Sequence, residues 1–142
     1  MYKPRRRKIY LAARFSRQSE ICEIRDKLTY IGYEVFGSWL DEDPSTEGQL
    51  TRGACHDLAE KCKFEIDKAS VFACFIDDDP RSVRAGHQVE FGYAWSKGKV
   101  LVSVGSANRN VFHNLWRVKQ FLTTEEFLQA ARLSGNFCIP QL

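Results

Sequence analysis

A single carboxylate, Glu90, stands out in the segment from Gly86 to Trp95 as a residue that could do chemistry. Glycines bracket a predicted short helix over residues 86–98, and Glu90 falls in about its first turn. Unpaired backbone N–H groups and the positive end of the helix dipole favour an anion there, so we expect Glu90 to stay ionised. An ionised carboxylate in a crevice suits nucleophilic attack on an electron-poor carbon, or stabilisation of an oxocarbenium-like centre. The alternative is structural, because glutamate also occurs at helix starts merely to complement the dipole.

The other reactive residue types form no cofactor motif. The five cysteines are odd in number and contain no Cys-x-x-Cys pair, which argues against a disulfide framework and a structural zinc site. We expect reduced, mostly buried thiols. His113 has no second histidine or carboxylate at metal-ligand spacing. No Gly-x-Gly-x-x-Gly follows the first predicted strand and no Walker lysine loop occurs, so we expect chemistry without a metal or cofactor.

The elements that must position these residues follow from the spacing of apolar side chains. The predicted strands are Lys8–Ala13, Tyr33–Leu40, Val71–Ile76, Val100–Val104 and Val118–Leu122. Four helices are predicted. The first ends at Gly32, and the second runs from Leu50 to Ala69. The third covers residues 86–98, with Phe91, Ala94 and Trp95 on its inner side, and the fourth begins at the capping-box pair Thr123 and Glu126. Such alternation predicts an α/β protein with a parallel, doubly wound sheet.

Ligands of a doubly wound sheet bind at the carboxyl ends of its strands, near the switch in strand order. This rule points to the loops over residues 12–16, 77–86 and 105–114. Residues 41–53 lack apolar periodicity and are predicted to form a long surface loop, a kind of segment that is often functional.

Composition indicates one folded unit. The chain has 142 residues, of which 44% are hydrophobic and ten are phenylalanine, which excludes a disordered polymer. The longest apolar run, Val71–Ile76, is far short of the roughly 20 residues that a membrane span needs. Arg14 interrupts the short apolar stretch that follows the basic residues 3–8, so we expect no secretory signal. We expect a cytoplasmic protein with a basic, poorly ordered tail over residues 1–7 and a single domain over residues 8–142.

Three segments in chain order carry a resemblance to a known family. They are residues 8–16, residues 69–75, and the pattern Gly86-x-x-x-Glu90-x-Gly92-Tyr93-Ala94-x-x-x-Gly98-Lys99. Together they resemble the nucleoside 2-deoxyribosyltransferase family, which includes the nucleoside 5′-monophosphate N-glycosidases. The likeness runs from about Lys8 to about Leu122. It implies a flavodoxin-like (Rossmann-like) five-stranded parallel sheet with helices on both faces, and cleavage of the N-glycosidic bond of a (deoxy)nucleoside or its 5′-monophosphate.

The resemblance also implies catalytic roles. Glu90 matches the glutamate that attacks the anomeric carbon to give a covalent glycosyl–enzyme, which water hydrolyses or a second base resolves by transfer. Family members usually carry an aspartate on the second helix that helps the base to leave, and Cys62 occupies that position here. A thiol is mostly neutral and donates only weak hydrogen bonds. Glu65, Asp67 or His87 could supply the proton instead, although helical charges are commonly a solvated face and His87 could simply cap its helix.

Recognition of the substrate is implied for the loop after the first strand. Arg14 and Arg17 add charge suited to a phosphate, and Ser16 offers a hydroxyl and a helix-start amide, so we expect a nucleotide rather than a neutral nucleoside. The alternative is that both arginines face solvent. Phe15, Trp39 and Tyr93 are candidates for stacking a base. The predicted substrate-binding residues are Ala12, Ala13, Arg14, Phe15, Ser16, Arg17, Trp39, Cys62, Asp77, Gly86, Tyr93, Asn110 and His113.

Residues 108–114 follow the fourth strand, and in the family this region tends to meet a neighbouring subunit. The resemblance therefore implies a homodimer or a dimer of dimers. A rival hypothesis is a catalytically inactive protein that binds and sequesters a nucleotide, motivated by Cys62. A third hypothesis is a nucleic-acid module acting through Arg5–Arg7. The rest of the chain is nearly neutral and contains no nucleic-acid motif, which argues against this hypothesis. We expect neither nucleic acid nor membrane as a partner.

Overall fold

A five-stranded parallel sheet organises the chain. The computed structural model describes residues 7–43, 45, 48–76, 86–106, 110–134 and 137. The strands are β1 (Lys8–Ala12), β2 (Glu34–Phe36), β3 (Val71–Phe75), β4 (Val100–Val104) and β5 (Val118–Phe121). Their order is β2-β1-β3-β4-β5, and every neighbouring pair is parallel. The predicted α/β fold of the flavodoxin-like type is confirmed.

In the described part of the chain, four helices cover the two faces of this sheet. They are α1 (Gln18–Ile31), α2 (Arg52–Lys68), α3 (Gly86–Ser96) and α4 (Thr124–Leu133). Helix α1 packs beside α4, and α2 packs beside α3. Because helices cover both faces, every residue of the central strand β3 is buried. None of the helices in the described ranges is long and apolar enough to cross a bilayer.

Two predicted helix ends are confirmed. Gly32 ends α1 with a φ of 117°, where its N–H bonds to the carbonyl of Leu28 at 3.1 Å. A residue with a Cβ is strained in this left-handed region, which explains the glycine. At the start of α4, the hydroxyl of Thr123 accepts a hydrogen bond from the backbone N–H of Glu126 at 3.1 Å.

The predicted second strand is wrong beyond Phe36. Gly37 turns the chain with a φ of 152°, and the following residues, Ser38–Asp41, form a short 3-10 turn. The period-2 pattern was misleading here because Trp39 and Leu40 are both buried from a 3-10 turn rather than by alternation within a strand. Trp95 was also placed wrongly, since it is 40% exposed on the outside of α3.

Four cysteines fall within the described residues, and all four are free thiols. Cys62 and Cys74 are buried, as predicted for most of them, whereas Cys55 is exposed on α2. Cys138, the tail over residues 1–6 and the predicted binding residue Asp77 lie outside the described residues.

Candidate active site at the carboxyl end of the sheet

A cavity of about 290 Å³ opens at the carboxyl ends of β1 and β2. The residues that line it come from the loops after β1 and β2, from α2 and from the start of α3: Ala13, Arg14, Phe15, Trp39, Glu42, Gly48, Leu50, Leu58, Cys62, Gly86, His87 and Glu90. Its size is close to the lower end of the roughly 300–1,000 Å³ typical of small-molecule sites. Its position is the one that the strand order predicts for a ligand.

Glu90 forms part of the cavity surface, and a phenol holds its carboxylate. The hydroxyl of Tyr10, a fully buried residue of β1, donates to Oε2 of Glu90. The ring of Tyr10 is in turn fixed by stacking on Phe72 of β3, with ring centroids 5.6 Å apart. The phenol therefore reaches the carboxylate from a rigid strand.

The expectation that Glu90 stays ionised is not met in full at neutral pH, where part of the carboxyl is protonated. Burial raises the pKa of Glu90 to about 7, although the Tyr10 hydrogen bond opposes that shift. The helix-dipole argument also fails on position, because α3 begins at Gly86 and has no acidic residue in its first turn. Desolvation, which disfavours the charged form, thus outweighs the local effect of the helix start.

Cys62 of α2 completes the floor of the cavity beside Tyr10. Its thiol is within hydrogen-bonding reach of the Tyr10 phenol, and burial raises the thiol pKa to about 11. Burial and the nearby charge of Glu90 also raise the pKa of Tyr10 well above its usual value. At pH 7 the group therefore comprises a neutral thiol, a neutral phenol and a carboxyl that is close to its own pKa.

The structure places the three predicted proton donors differently. His87 is buried and lines the cavity, with Nε2 at 3.2 Å from Nε2 of Gln88. Glu65 is buried away from the cavity lining and accepts hydrogen bonds from the backbone of Gly37 and Ser38 at 2.9 and 3.1 Å. Asp67 faces the outside, where it accepts a hydrogen bond from the hydroxyl of Tyr93 at 2.8 Å. Only His87 of this set contacts the cavity.

The loop after β1 divides into two parts. Ala13, Arg14 and Phe15 line the cavity, whereas Ala12 is buried in β1 and Ser16 is exposed. Arg17 forms a bidentate pair with Glu20 at 2.8 Å and donates to the carbonyl of Ile76 at 3.0 Å. The prediction that Arg17 serves a phosphate therefore has no support from the geometry, since its guanidinium links α1 to the end of β3.

Two of the three predicted base-stacking aromatics meet at the cavity. The rings of Phe15 and Trp39 lie 6.3 Å apart and are tilted by 49°. Tyr93 lies elsewhere, between α2 and α3 on the outer surface, where the ammonium of Lys97 is 5.4 Å from its ring centroid. Its predicted role in binding is not supported, because its hydroxyl donates to Asp67 at the outer surface and Tyr93 does not line the cavity.

Asn110 and His113 lie next to the site rather than along the cavity wall. Asn110 donates to Gln88 at 3.0 Å, and so connects the segment after β4 to the neighbour of His87. His113 is buried with its ring 4.6 Å from that of Phe91, and burial lowers its pKa. A neutral, buried imidazole packed on a phenylalanine is a core residue. Among the described residues, no cluster of histidine, cysteine and acidic side chains could hold a metal ion.

Four lining residues were missed by the sequence analysis: Glu42, Gly48, Leu50 and Leu58. Leu50 and Leu58 were assigned to one predicted helix, but α2 begins at Arg52, so Leu50 lines the cavity from the loop before α2 and Leu58 lines it from α2 itself. Tyr10 was also missed as the partner of Glu90. The sequence offered one indication, a tyrosine between the apolar residues Ile9 and Leu11 of the first strand. The hydroxyl of a buried tyrosine needs a hydrogen-bond partner.

A known enzyme has the same fold. The chain is similar in structure to the CMP N-glycosidase BcmB of Clostridium botulinum, with a TM-score of 0.58 and 21% sequence identity over 89% of this chain and 98% of that chain. No protein-family model and no curated protein matches the sequence. At this level of identity the similarity establishes a shared architecture, and the assignment of chemistry rests on the site itself.

Proposed function

We propose that the protein cleaves the N-glycosidic bond of a nucleoside 5′-monophosphate, with Glu90 as the nucleophile. The observation that carries the proposal is the position of this carboxylate on the cavity surface, held by the phenol of Tyr10. The CMP N-glycosidase with the same fold supports a nucleotide substrate. The family resemblance of the Gly86–Lys99 segment supports the role of Glu90.

The reaction proceeds in two displacements. The ionised carboxylate of Glu90 attacks C1′, and the C1′–N bond breaks with its electron pair leaving on the base. The base takes a proton from His87, which lines the same cavity, or from water. Water then attacks C1′ of the glycosyl ester, the C1′–O bond to Glu90 breaks with its electron pair returning to the carboxylate, and the water proton passes to the deprotonated His87 or to solvent. This step regenerates Glu90 and releases the sugar 5-phosphate. A second nucleobase in place of water would give transfer of the sugar.

The lining suits the parts of a nucleotide. Phe15 and Trp39 offer two aromatic faces for a base, and Arg14 offers a guanidinium for the phosphate. A nucleobase and a phosphate are the two groups that such a pair of surfaces recognises. We therefore expect nucleoside monophosphates to be bound more tightly than the matching nucleosides.

The test is a panel of ribo- and deoxyribonucleoside monophosphates and their nucleosides, with free base read by chromatography. Glu90→Gln should lower turnover by at least about 10³-fold, because the amide is not a nucleophile. Glu60→Gln is the matched control, since Glu60 lies exposed on α2 and pairs with Lys63 at 3.4 Å. Full turnover by Glu90→Gln would reject the mechanism.

A second candidate function is binding without catalysis. It is favoured by Cys62, a neutral thiol on the cavity floor that cannot act as a strong acid. This hypothesis predicts tight nucleotide binding by calorimetry together with no release of base over a long incubation. Turnover by the wild-type protein would eliminate it.

Self-association is proposed as well. The patch formed by Trp95, Val111 and Phe112 exposes apolar surface close to the site, with the rings of Trp95 and Phe112 5.9 Å apart. Light scattering coupled to gel filtration should give a dimer or a dimer of dimers. Val111→Asp, at a residue that is 75% exposed, should shift the protein toward monomer. A wild-type monomer at micromolar concentration would contradict this part.

A further inference from the structure

One wall of the cavity lies outside the sheet. We name the segment Gly37–Glu42 the Trp39 wall, because it carries Trp39 and Glu42 to the cavity. It begins where β2 ends and contains the 3-10 turn Ser38–Asp41. Two of its backbone hydrogen bonds are local, from Leu40 to Gly37 at 2.9 Å and from Glu42 to Trp39 at 3.3 Å. Bonds of this range do not by themselves fix the wall against the sheet.

Side chains of α2 and α1 hold the wall from behind. Glu65 accepts hydrogen bonds from the backbone N–H groups of Gly37 and Ser38 and from the hydroxyl of Ser38. The amide of Gln18 donates to the carbonyls of Trp39 at 2.9 Å and Glu42 at 2.7 Å. Both side chains are buried at 9% exposure. Each buried polar group therefore contacts wall backbone at two or more points.

The wall also contacts β1 directly. The indole N–H of Trp39 donates to the carbonyl of Leu11 at 2.8 Å. The turn at Gly37 is tight, since a Cβ there would lie 3.3 Å from Cδ1 of Leu40 and 3.4 Å from Nε1 of Trp39. Gly37 is therefore packed closely against the indole of Trp39, a residue that lines the cavity.

We infer that Glu65 and Gln18 are positioning residues that set the affinity of the cavity for nucleotide by fixing the Trp39 wall. This inference rests on the proposed function. It replaces the role of Glu65 as a proton donor, because its oxygens already accept hydrogen bonds from three groups of the wall. The reacting group comes from β1, α2 and α3, so loosening the wall should weaken binding and leave the chemical step nearly intact.

The experiment compares Glu65→Gln, Glu65→Ala, Gln18→Leu and Gln18→Glu with two control variants, Glu60→Gln and Gln129→Leu. Both control residues are exposed, on α2 and α4 respectively. Steady-state kinetics with CMP should give a KM about tenfold higher for Glu65→Ala and Gln18→Leu, with kcat within about threefold of wild type. Glu65→Gln should fall between wild type and Glu65→Ala, because its amide oxygen can still accept from the wall. Gln18→Glu should have the highest KM, because its carboxylate would repel the carbonyl oxygens of Trp39 and Glu42 that the Gln18 amide contacts.

Hydrogen exchange supplies a readout that does not depend on catalysis. The amides of Gly37 and Ser38 should exchange faster in the Glu65 variants than in wild type and the controls, while the amides of β3 are unchanged. A lower kcat with unchanged KM would overturn the inference in favour of Glu65 as an acid. Faster exchange with unchanged KM would show that the wall does not set affinity, and would also overturn it.

The proposed function can fail separately. Calorimetry with CMP measures affinity in the same variants whether or not base is released, so a binding protein without turnover still tests the wall. If the wild-type protein neither binds nor cleaves any nucleotide of the panel, the proposed function fails, and the inference on affinity fails with it. If wild type is active and all Glu65 and Gln18 variants match it, only the inference fails.

Discussion

Two glutamates on neighbouring helices, the half-buried Glu90 and the buried Glu65, have opposite surroundings. Glu90 of α3 lies on the cavity surface, and its hydrogen bond comes from the Tyr10 phenol. Glu65 of α2 is set back from the cavity and accepts from two backbone N–H groups and a hydroxyl of the Trp39 wall. Both residues are glutamates, and they differ in the number of hydrogen-bond donors that contact each carboxylate.

This contrast separates a reactive carboxylate from a structural one. Burial with few donors raises the pKa of Glu90 to about 7 and leaves its charged form destabilised. Such a carboxylate favours reaction with an electron-poor centre that enters the cavity. Glu65 instead accepts hydrogen bonds from three groups of the wall, which hold its carboxylate in place.

The largest expected effect is on the free energy of unfolding. Replacing the carboxylate by an amide should raise it at Glu90 and lower it at Glu65. Folding moves the pKa of Glu90 from 4.5 to about 7, so the folded protein binds an extra proton between these values. Stability therefore falls as pH rises through this window, by about 3 kcal/mol above pH 7. Glu90→Gln has no proton to lose and should be more stable than wild type by about this amount at pH 8, with little difference at pH 4.

Urea unfolding at pH 4, 6 and 8 measures this effect. Glu60→Gln is again the control, since its exposed carboxylate should show no such dependence. A Glu90→Gln variant whose stability relative to wild type is the same at pH 4 and pH 8 would mean that the carboxylate is not destabilised by burial, and the contrast with Glu65 would be lost.

Glu65→Gln should lose stability where Glu90→Gln gains it. The neutral amide is a weaker acceptor than a carboxylate, and its NH₂ group faces donors of the wall. We expect a loss of about 1–2 kcal/mol at pH 8 by urea unfolding. An increase in stability at this position would show that Glu65 is as poorly satisfied as Glu90, contrary to the hydrogen bonds described.

Tyr10→Phe sharpens the contrast from the other side, by removing the phenol that holds Glu90. The hydrogen bond from Tyr10 lowers the pKa of Glu90, so its loss should raise that pKa further. Because the nucleophile must be ionised, activity rises with pH, and we expect the midpoint of kcat/KM, which reports the free enzyme, to move up from about 7. The readout is the pH profile of base release, and a midpoint that moves down would contradict the assigned donor.

The architecture could be predicted from the sequence more fully than the site. The spacing of apolar residues along the chain indicated five strands. The end of α1 could be predicted because it depends on the left-handed backbone of a single residue, Gly32. The Trp39 wall was missed because its order comes from hydrogen bonds to residues far away in the chain, such as Gln18 and Glu65. The protonation of Glu90 was missed for a similar reason, since the helix dipole is local and burial depends on the whole fold.

Aromatic placement shows the same limit. Phe15 and Trp39 were proposed as neighbours of a base and do meet at the cavity. Tyr93 belongs to the same recognised motif as Glu90, yet its hydroxyl contacts Asp67 at the outer surface and the residue does not line the cavity. Residues three apart on a helix point about 60° apart, and the sequence alone does not say which of the two directions faces the cavity.

The smallest expected effect is at Cys62, which lies on the reactive side of the comparison without carrying charge. Burial raises its thiol pKa to about 11, so the group is neutral at pH 7. Cys62→Ser replaces one small neutral donor with another, and we expect kcat for base release to stay within about threefold of wild type. A loss approaching that of Glu90→Gln would mean that the sulfur itself takes part in the reaction. In that case the reactive unit would be the pair of Cys62 and Glu90 bridged by Tyr10, rather than the carboxylate alone.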